Sequence, residues 1–170
     1  FLTTGYFLSQ SGWTNAPRFL KKTGLLSLLS ILLYLPLNIY AHQIGSIPDV
    51  LRALCFDGTF YHLWYFPAVL LGVLICLLLL RGGRRFAFAA AALLYLIGLG
   101  GDSYYGLFAS FPAGRAFYNA LFHVFSYTRN GLFFAPLFLL LGGLAKKRSA
   151  GFSFALFLFS LCGMSAEVFL

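Results

Sequence analysis

The sequence predicts an all-α, polytopic transmembrane helix bundle, and three observations support this prediction. Of the 170 residues, 61% are hydrophobic and only 9% are charged, whereas a soluble domain carries roughly 25% charged residues. The mean hydropathy is +0.87. The apolar residues are gathered into segments, several of them long enough to cross a hydrocarbon core of about 30 Å as helices. Short basic clusters separate these segments.

Six apolar segments are predicted as spans. The second carries Pro36, which a membrane helix tolerates as a kink, and glycines and Asp102 interrupt the end of the fourth. The aromatic, mixed stretch 109–128 predicts a helix at the membrane interface. Because the sequence starts without Met and ends on an apolar run, we expect an internal fragment of a larger bundle. The predicted spans are 1–9, 23–41, 62–80, 86–108, 129–145 and 151–170.

The basic residues predict the orientation of these spans. Nine of the twelve Lys and Arg fall in three clusters that occupy alternate loops. By the positive-inside rule these loops are cytoplasmic, in a multi-pass protein of the plasma membrane. Because the basic residues are dispersed between apolar segments, the net charge of +8 indicates binding to membrane lipids and not to nucleic acid. The clusters are Arg18, Lys21 and Lys22; Arg81, Arg84 and Arg85; and Lys146, Lys147 and Arg148.

All four carboxylates fall towards the opposite, extracytoplasmic side of this topology. Asp102, Glu167 and Arg129 lie within or at the edge of spans, where an unpaired charge costs several kcal/mol. We therefore expect them to face one another in one polar chamber in the outer half of the membrane. In particular, the Arg129 guanidinium should lie within salt-bridge or one-water distance of at least one of Asp102 and Glu167.

A polar and aromatic stretch, residues 57–67 (DGTFYHLWYFP), leads into the third span. Asp57 and His62 form an ionisable pair at the mouth of that span, which favours a functional role. Trp64 and Tyr65 have two interpretations: they stack on a ligand, or they belong to an aromatic belt at the membrane surface. The sequence contains no Gly-rich phosphate loop, no Ser-centred nucleophile elbow and no metal-ligand spacing.

Several short motifs resemble the acyltransferase family 3 membrane proteins. Residues 1–9 are similar to the Ser/Thr-Gly-Tyr-Leu-Leu stretch of that family's second helix, and residues 18–22 to the basic turn after it. Residues 62–66 resemble its His-Leu-Trp-aromatic motif. Residues 129–147 resemble a later, Phe-rich helix of the family that ends with Leu-Gly and a basic group. Residues 57–67 are closer still to one branch, the membrane domain of the serine/alanine racemases associated with vancomycin resistance.

The resemblance implies a bundle of about ten helices that transfers an acyl group from acyl-CoA to an extracytoplasmic glycan or lipid-linked acceptor. The Arg and His that this family carries on its first helix have no counterpart here. Within this chemistry His62 is the candidate base, oriented by Asp57. Some of the candidate substrate-binding residues have an alternative role, in which they pair with one another and stabilise the structure. The candidates are Trp64, Tyr65, Asp102, Arg129, Asn130 and Glu167.

The racemase branch implies a different function. In that interpretation the chain is a permease-like membrane domain that takes up or delivers L-serine to a fused or following soluble pyridoxal-phosphate domain. The interrupted helix around residues 98–102 is the kind of feature that transporters use to build a binding site. A degenerate structural bundle is the third alternative.

Overall fold

The computed structural model describes residues 1–40, 50, 54, 56, 58, 63–145, 154 and 158. Within these residues it contains seven named helices and no strand, which confirms the all-α prediction. The helices are α1 (Leu2–Gln10), α2 (Ala16–Tyr40), α3 (Tyr65–Arg81), α4 (Arg84–Gly101), α5 (Tyr105–Ala109), α6 (Pro112–Val124) and α7 (Ala135–Ala145).

Two of the helices in the described part, α2 and α4, are long and apolar enough to cross a membrane. The helices α3 and α7 are also apolar but shorter. Length and composition therefore support membrane association, and the full multi-pass topology stays a prediction. The predicted sixth span, 151–170, and the third basic cluster lie outside the described residues, apart from two isolated positions in that span.

The helices α1, α3 and α7 run in the same direction. The rings of Trp64 and Tyr65, at the start of α3, lie 6.2 and 5.1 Å from the ring of Phe1 at the start of α1. At the other end of the same helices, Gly143 of α7 lies against Ser9 of α1. The described basic residues of the first two clusters therefore share one end of the bundle, here called the basic end.

The helix α4 runs the opposite way. It starts at the basic end, directly after α3, and Gly98 near its last turn lies against Phe133, which precedes α7. Asp102 consequently lies at the other end of the bundle, together with Trp64 and Arg129. Among the described residues, those of the first two basic clusters lie at one end of the bundle and Asp102, paired with Arg129, lies at the other, as the charge pattern of the sequence predicts.

The core is formed where α3 meets its neighbours, because α3 contacts α2, α4 and α7. Val69, Val73 and Cys76 of α3 are fully buried there, against Ala135 and Leu139 of α7. Cys76 behaves as a small apolar side chain in this core. The helix α2 is different, because most of its leucines beyond residue 24 are exposed.

Two helices are shorter than the apolar segments that contain them. The fourth segment, 86–108, ends its helix at Gly101 and continues as the separate short helix α5. The fifth, 129–145, becomes helical only at Ala135. The stretch 109–128 forms the amphipathic helix α6, which packs Tyr118 inwards and leaves Phe117 exposed.

Glycine allows α1 and α7 to approach at backbone distance. A Cβ atom added at Gly142 of α7 would overlap the Leu2 carbonyl oxygen, and one added at Gly5 of α1 would overlap the Leu139 carbonyl oxygen. Close packing of this kind is how helices associate when both are surrounded by lipid. Gly24 of α2, in contrast, has no described atom within 4 Å of such a Cβ.

We expect Gly142→Ala to destabilise the protein by about 1–3 kcal/mol, because overpacking forces the α1 and α7 backbones apart. Gly24→Ala is the matched control and should lower stability little or not at all, since alanine is the better helix former. The melting temperature of each full-length variant in detergent, followed by intrinsic fluorescence, measures the difference. Equal melting temperatures for the two variants would contradict the close α1–α7 contact.

Candidate functional site

A cleft of about 460 Å³ opens at the end of the bundle away from the basic residues. Its lining combines two charged and two aromatic side chains from three separate parts of the chain. One precedes α3, one follows α4, and two lie in the turn region before α7. The lining residues are Trp64, Asp102, Tyr127 and Arg129.

Arg129 and Asp102 form an ion pair at this cleft. Nη2 and Nε of Arg129 donate to the same carboxylate oxygen, Oδ2 of Asp102, at 2.6 and 3.0 Å. The side chains are 57% and 27% exposed, respectively, so the pair forms part of the cleft wall. The predicted pairing of Arg129 with a carboxylate is confirmed for Asp102, whereas Glu167 lies outside the described residues. Among the described residues this is the single ion pair.

Hydrogen bonds one turn away hold Asp102 and Arg129 in position. The Thr128 hydroxyl, fully buried, donates to the Gly98 carbonyl oxygen at 2.7 Å. The Tyr118 hydroxyl donates to the Ile97 carbonyl oxygen at 3.0 Å. Both bonds satisfy carbonyls in the last turns of α4 and fasten that end to the turn that carries Arg129.

Burial raises the pKa of Tyr118, on the amphipathic helix α6. The phenol therefore keeps its proton at neutral pH and remains a donor to Ile97. Gly101 makes the close contact with Thr128 possible, because a Cβ atom there would lie only 2.6 Å from the Thr128 methyl group. The glycines before Asp102 thus serve tight packing at the end of α4.

Asn130 lies behind the cleft and not in it. Its side chain is 1% exposed, its amide nitrogen donates to the Tyr127 carbonyl oxygen at 3.0 Å, and its Oδ1 accepts the N–H groups of Leu132 and Phe133 at 3.0 and 3.2 Å. This arrangement orders the turn that precedes α7, as an Asx side chain does at a helix entry. The position of Asn130 favours a structural role over the predicted contact with substrate.

The two adjacent aromatics of the 57–67 stretch occupy different environments. Trp64 lines the cleft, with Phe1 beside it. The Tyr65 hydroxyl instead lies 3.2 Å from the Thr4 hydroxyl, and its ring packs on Phe1. Tyr65 is therefore directed to α1 and not to the cleft. Tyr127, which the sequence analysis did not single out, takes the second aromatic position in the cleft.

The predicted catalytic pair, Asp57 and His62, lies outside the described residues, and its role stays a prediction. Gly58, which adjoins Asp57 in sequence, nevertheless contacts a residue of the cleft wall. Gly58 has a φ of +80° and lies against the Trp64 backbone. A side chain at position 58 would collide with that backbone, so glycine is required for this close approach.

Comparisons with known proteins give one consistent result. No protein-family model matches the chain, and no solved structure matches it. Curated proteins do match. The chain is similar to one segment of three racemases. Two, each named an amino-acid racemase, are from Enterococcus faecalis, with 45% identity over 84% of the chain and 42% identity over 88%. The third, named a serine/alanine racemase, is from Enterococcus gallinarum, with 44% identity over 98% of the chain.

The chain spans only 21–26% of the length of these relatives. The similarity supports the racemase branch that residues 57–67 predicted. It gives no support to the acyltransferase 3 assignment, because no family model matches and none of the three relatives is named an acyltransferase. The alternative interpretation is therefore favoured over acyl transfer.

We expect Arg129→Ala to reduce the yield of folded protein more than Arg115→Ala. Removal of Arg129 leaves Asp102 without its partner near the membrane, whereas Arg115 is an exposed side chain that contacts only the Ala109 carbonyl oxygen among the described residues. The double variant Arg129→Gln/Asp102→Asn should recover part of the loss, because it leaves no unpaired charge. Fluorescence-detected size-exclusion chromatography of full-length variants measures all three, and equal yields for the two arginine variants would refute the structural role of the pair.

Proposed function

We propose that this chain is the membrane-embedded part of an amino-acid racemase, and that its cleft receives free serine for the racemase part. The observation that carries the proposal is the Asp102–Arg129 pair in a cleft walled by Trp64 and Tyr127. The similarity to proteins named amino-acid racemase and serine/alanine racemase supplies the class of ligand.

A free amino acid carries a carboxylate and an ammonium group, and the pair offers a partner to each. Arg129 donates to Asp102 through Nε and Nη2, so Nη1 takes no part in the ion pair and can donate to an anion. Asp102 uses Oδ2, so Oδ1 is available to an ammonium group. A zwitterion therefore adds to the pair without breaking it, and the loaded site stays neutral. Neutrality matters near a membrane, where a net charge is costly.

The size and walls of the cleft suit a small ligand. A volume of about 460 Å³ lies in the lower part of the roughly 300–1,000 Å³ range of small-molecule sites. Trp64 and Tyr127 present flat apolar faces with one polar atom each, which cover part of the ion pair while they tolerate a hydroxyl-bearing side chain. The ligand is held by charge, and its side chain is limited by the aromatic walls.

The proposed membrane placement puts the basic end in the cytoplasm and the cleft at the outer side. Its support is the length of α2 and α4 and the separation of cations from Asp102 along the bundle. In this placement α6 lies at the outer surface, with Phe117 in the interface. Because the relatives are about four to five times as long as the matched segment, we place a soluble, pyridoxal-phosphate-type racemase domain in the remainder of the protein.

Acyl transfer is the weaker candidate. Arg129 is the cation offered for a phosphate of acyl-CoA, but a phosphate there would lie beside the Asp102 carboxylate and, unlike an amino acid, brings no ammonium group to offset that charge. The acyl-CoA donor, the glycan or lipid-linked acceptor and the catalytic roles of His62 and Asp57 therefore stay predictions of the family resemblance.

We expect Asp102→Asn and Trp64→Ala each to reduce serine uptake by at least about tenfold, the loss that follows when one charged or aromatic contact of roughly 1.4 kcal/mol is removed. The measurement is uptake of radiolabelled L-serine into proteoliposomes that contain the full-length protein. Arg115→Gln, at a side chain that is not among those lining the cleft, is the control and should transport normally. Racemisation of serine supplied directly to the detergent-solubilised variants should be unchanged; a parallel loss there, or normal uptake by Asp102→Asn, would argue against delivery through the cleft.

We also expect an impermeant thiol reagent to label Ser103→Cys, but not Thr14→Cys, in intact cells. Both positions are exposed and both changes are conservative, but Ser103 adjoins Asp102 whereas Thr14 lies at the basic end. The native cysteines of this chain are replaced beforehand, and permeabilised cells supply the control in which both positions react. Labelling of Thr14→Cys alone in intact cells would invert the proposed topology.

A further inference from the structure

A second concavity runs along α1 to the basic end and shares no lining residue with the cleft. It is a groove of about 490 Å³ between α1 and the start of α2, here called the α1–α2 groove. Hydroxyl and amide groups, two cations and an apolar wall line it together. The lining residues are Thr3, Thr4, Phe7, Leu8, Asn15, Arg18, Phe19 and Lys22.

The two cations of the α1–α2 groove are directed to the same side of α2. Arg18 and Lys22 are four residues apart, so they lie one above the other on one helix face. In the part of the chain that the structure describes, the one carboxylate is Asp102, at the opposite end of the bundle and paired with Arg129. The groove therefore holds two positive charges with no described protein anion beside them, which suits a phosphate group.

An apolar stripe continues from these cations along α2. Leu26, Leu29 and Leu33 follow Lys22 at spacings that keep them on the same face of the helix, and half or more of each side chain is exposed. From Lys22 to Leu33 the helix rises about 16 Å. This distance is close to half of the roughly 30 Å hydrocarbon core, the depth of one leaflet.

We propose that the α1–α2 groove binds an anionic phospholipid. The phosphate lies between Arg18 and Lys22, the polar headgroup reaches Asn15 in the turn before α2, and one acyl chain lies along the leucine stripe of α2. A soluble phosphate would use the cations but leave the stripe uncovered, and a neutral lipid would cover the stripe but leave the cations unpaired. An anionic lipid satisfies both, as basic grooves between helices on the cytoplasmic side do.

This site depends on the proposed membrane placement but shares no residue with the cleft. Loss of lipid binding would leave serine binding untouched, and loss of serine binding would leave the lipid site untouched. The two proposals therefore fail independently.

Native mass spectrometry of the delipidated full-length protein in detergent tests the proposal. Dioleoylphosphatidylglycerol should bind at least about tenfold more tightly than dioleoylphosphatidylcholine, which has the same chains, and than dihexanoylphosphatidylglycerol, which has the same headgroup. These comparisons use the unaltered protein, so they do not depend on how any variant folds. Equal binding of phosphatidylglycerol and phosphatidylcholine would overturn the proposal.

Paired variants locate the site. Arg18→Gln/Lys22→Gln should weaken phosphatidylglycerol binding by about thirtyfold, roughly fivefold for each basic side chain lost near a lipid phosphate. Lys21→Gln/Arg85→Gln removes the same net charge from the basic end but leaves the groove lining intact, and should weaken binding by less than about threefold. Equal weakening by the two double variants would mean diffuse attraction and not a site. Displacement of the lipid by equimolar glycerophosphoglycerol or acetyl-CoA would mean a site for soluble anions, and either result overturns the proposal.

Discussion

The hydrogen bond from Thr128 to the Gly98 carbonyl is the contact on which the cleft depends. Within a bilayer an unpaired backbone carbonyl costs several kcal/mol, so a helix that ends there needs a partner for its last carbonyls. Thr128 supplies one at 2.7 Å and Tyr118 supplies another for Ile97. The bond fastens the last turn of α4, just before Asp102, to the turn that places Arg129 opposite that carboxylate. The contact that holds the end of α4 therefore also holds the two residues of the ion pair opposite each other.

The rest of the bundle supports this end by close backbone packing. Gly131 lies against Ala68 of α3, Gly72 of α3 lies against Ala135 and Leu139, and Gly142 lies against α1. These contacts fix α7, and with it the turn before α7, relative to Trp64 at the start of α3. Small residues thus determine how far apart the aromatic and charged walls of the cleft stand.

The sequence allowed the Arg129–Asp102 pairing to be predicted, because charges in apolar segments have few alternatives to one another. It also predicted the separation of cations from carboxylate along the helices. The sequence also predicted an interruption of the fourth apolar segment at residues 98–102, where α4 ends at Gly101. The start of α7 at Ala135 was not predicted, because the turn before it is ordered by hydrogen bonds of the Asn130 side chain that residue spacing does not reveal. Asn130 was a candidate for substrate binding as one of the outer-side polar residues, and its amide is engaged in ordering the turn. Adjacent aromatics gave no indication that Trp64, and not Tyr65, would reach the cleft.

The contact between α1 and α7 has a consequence for biosynthesis. These two helices pack more extensively than any other described pair, yet α7 follows α1 by more than a hundred residues. At a synthesis rate of roughly 5–20 residues per second, α1 waits on the order of 10 s for its partner. During this interval the glycine face of α1 lacks its partner and is open to other parts of the nascent chain. Shielding of this face until α7 is made would raise the yield of correctly assembled protein.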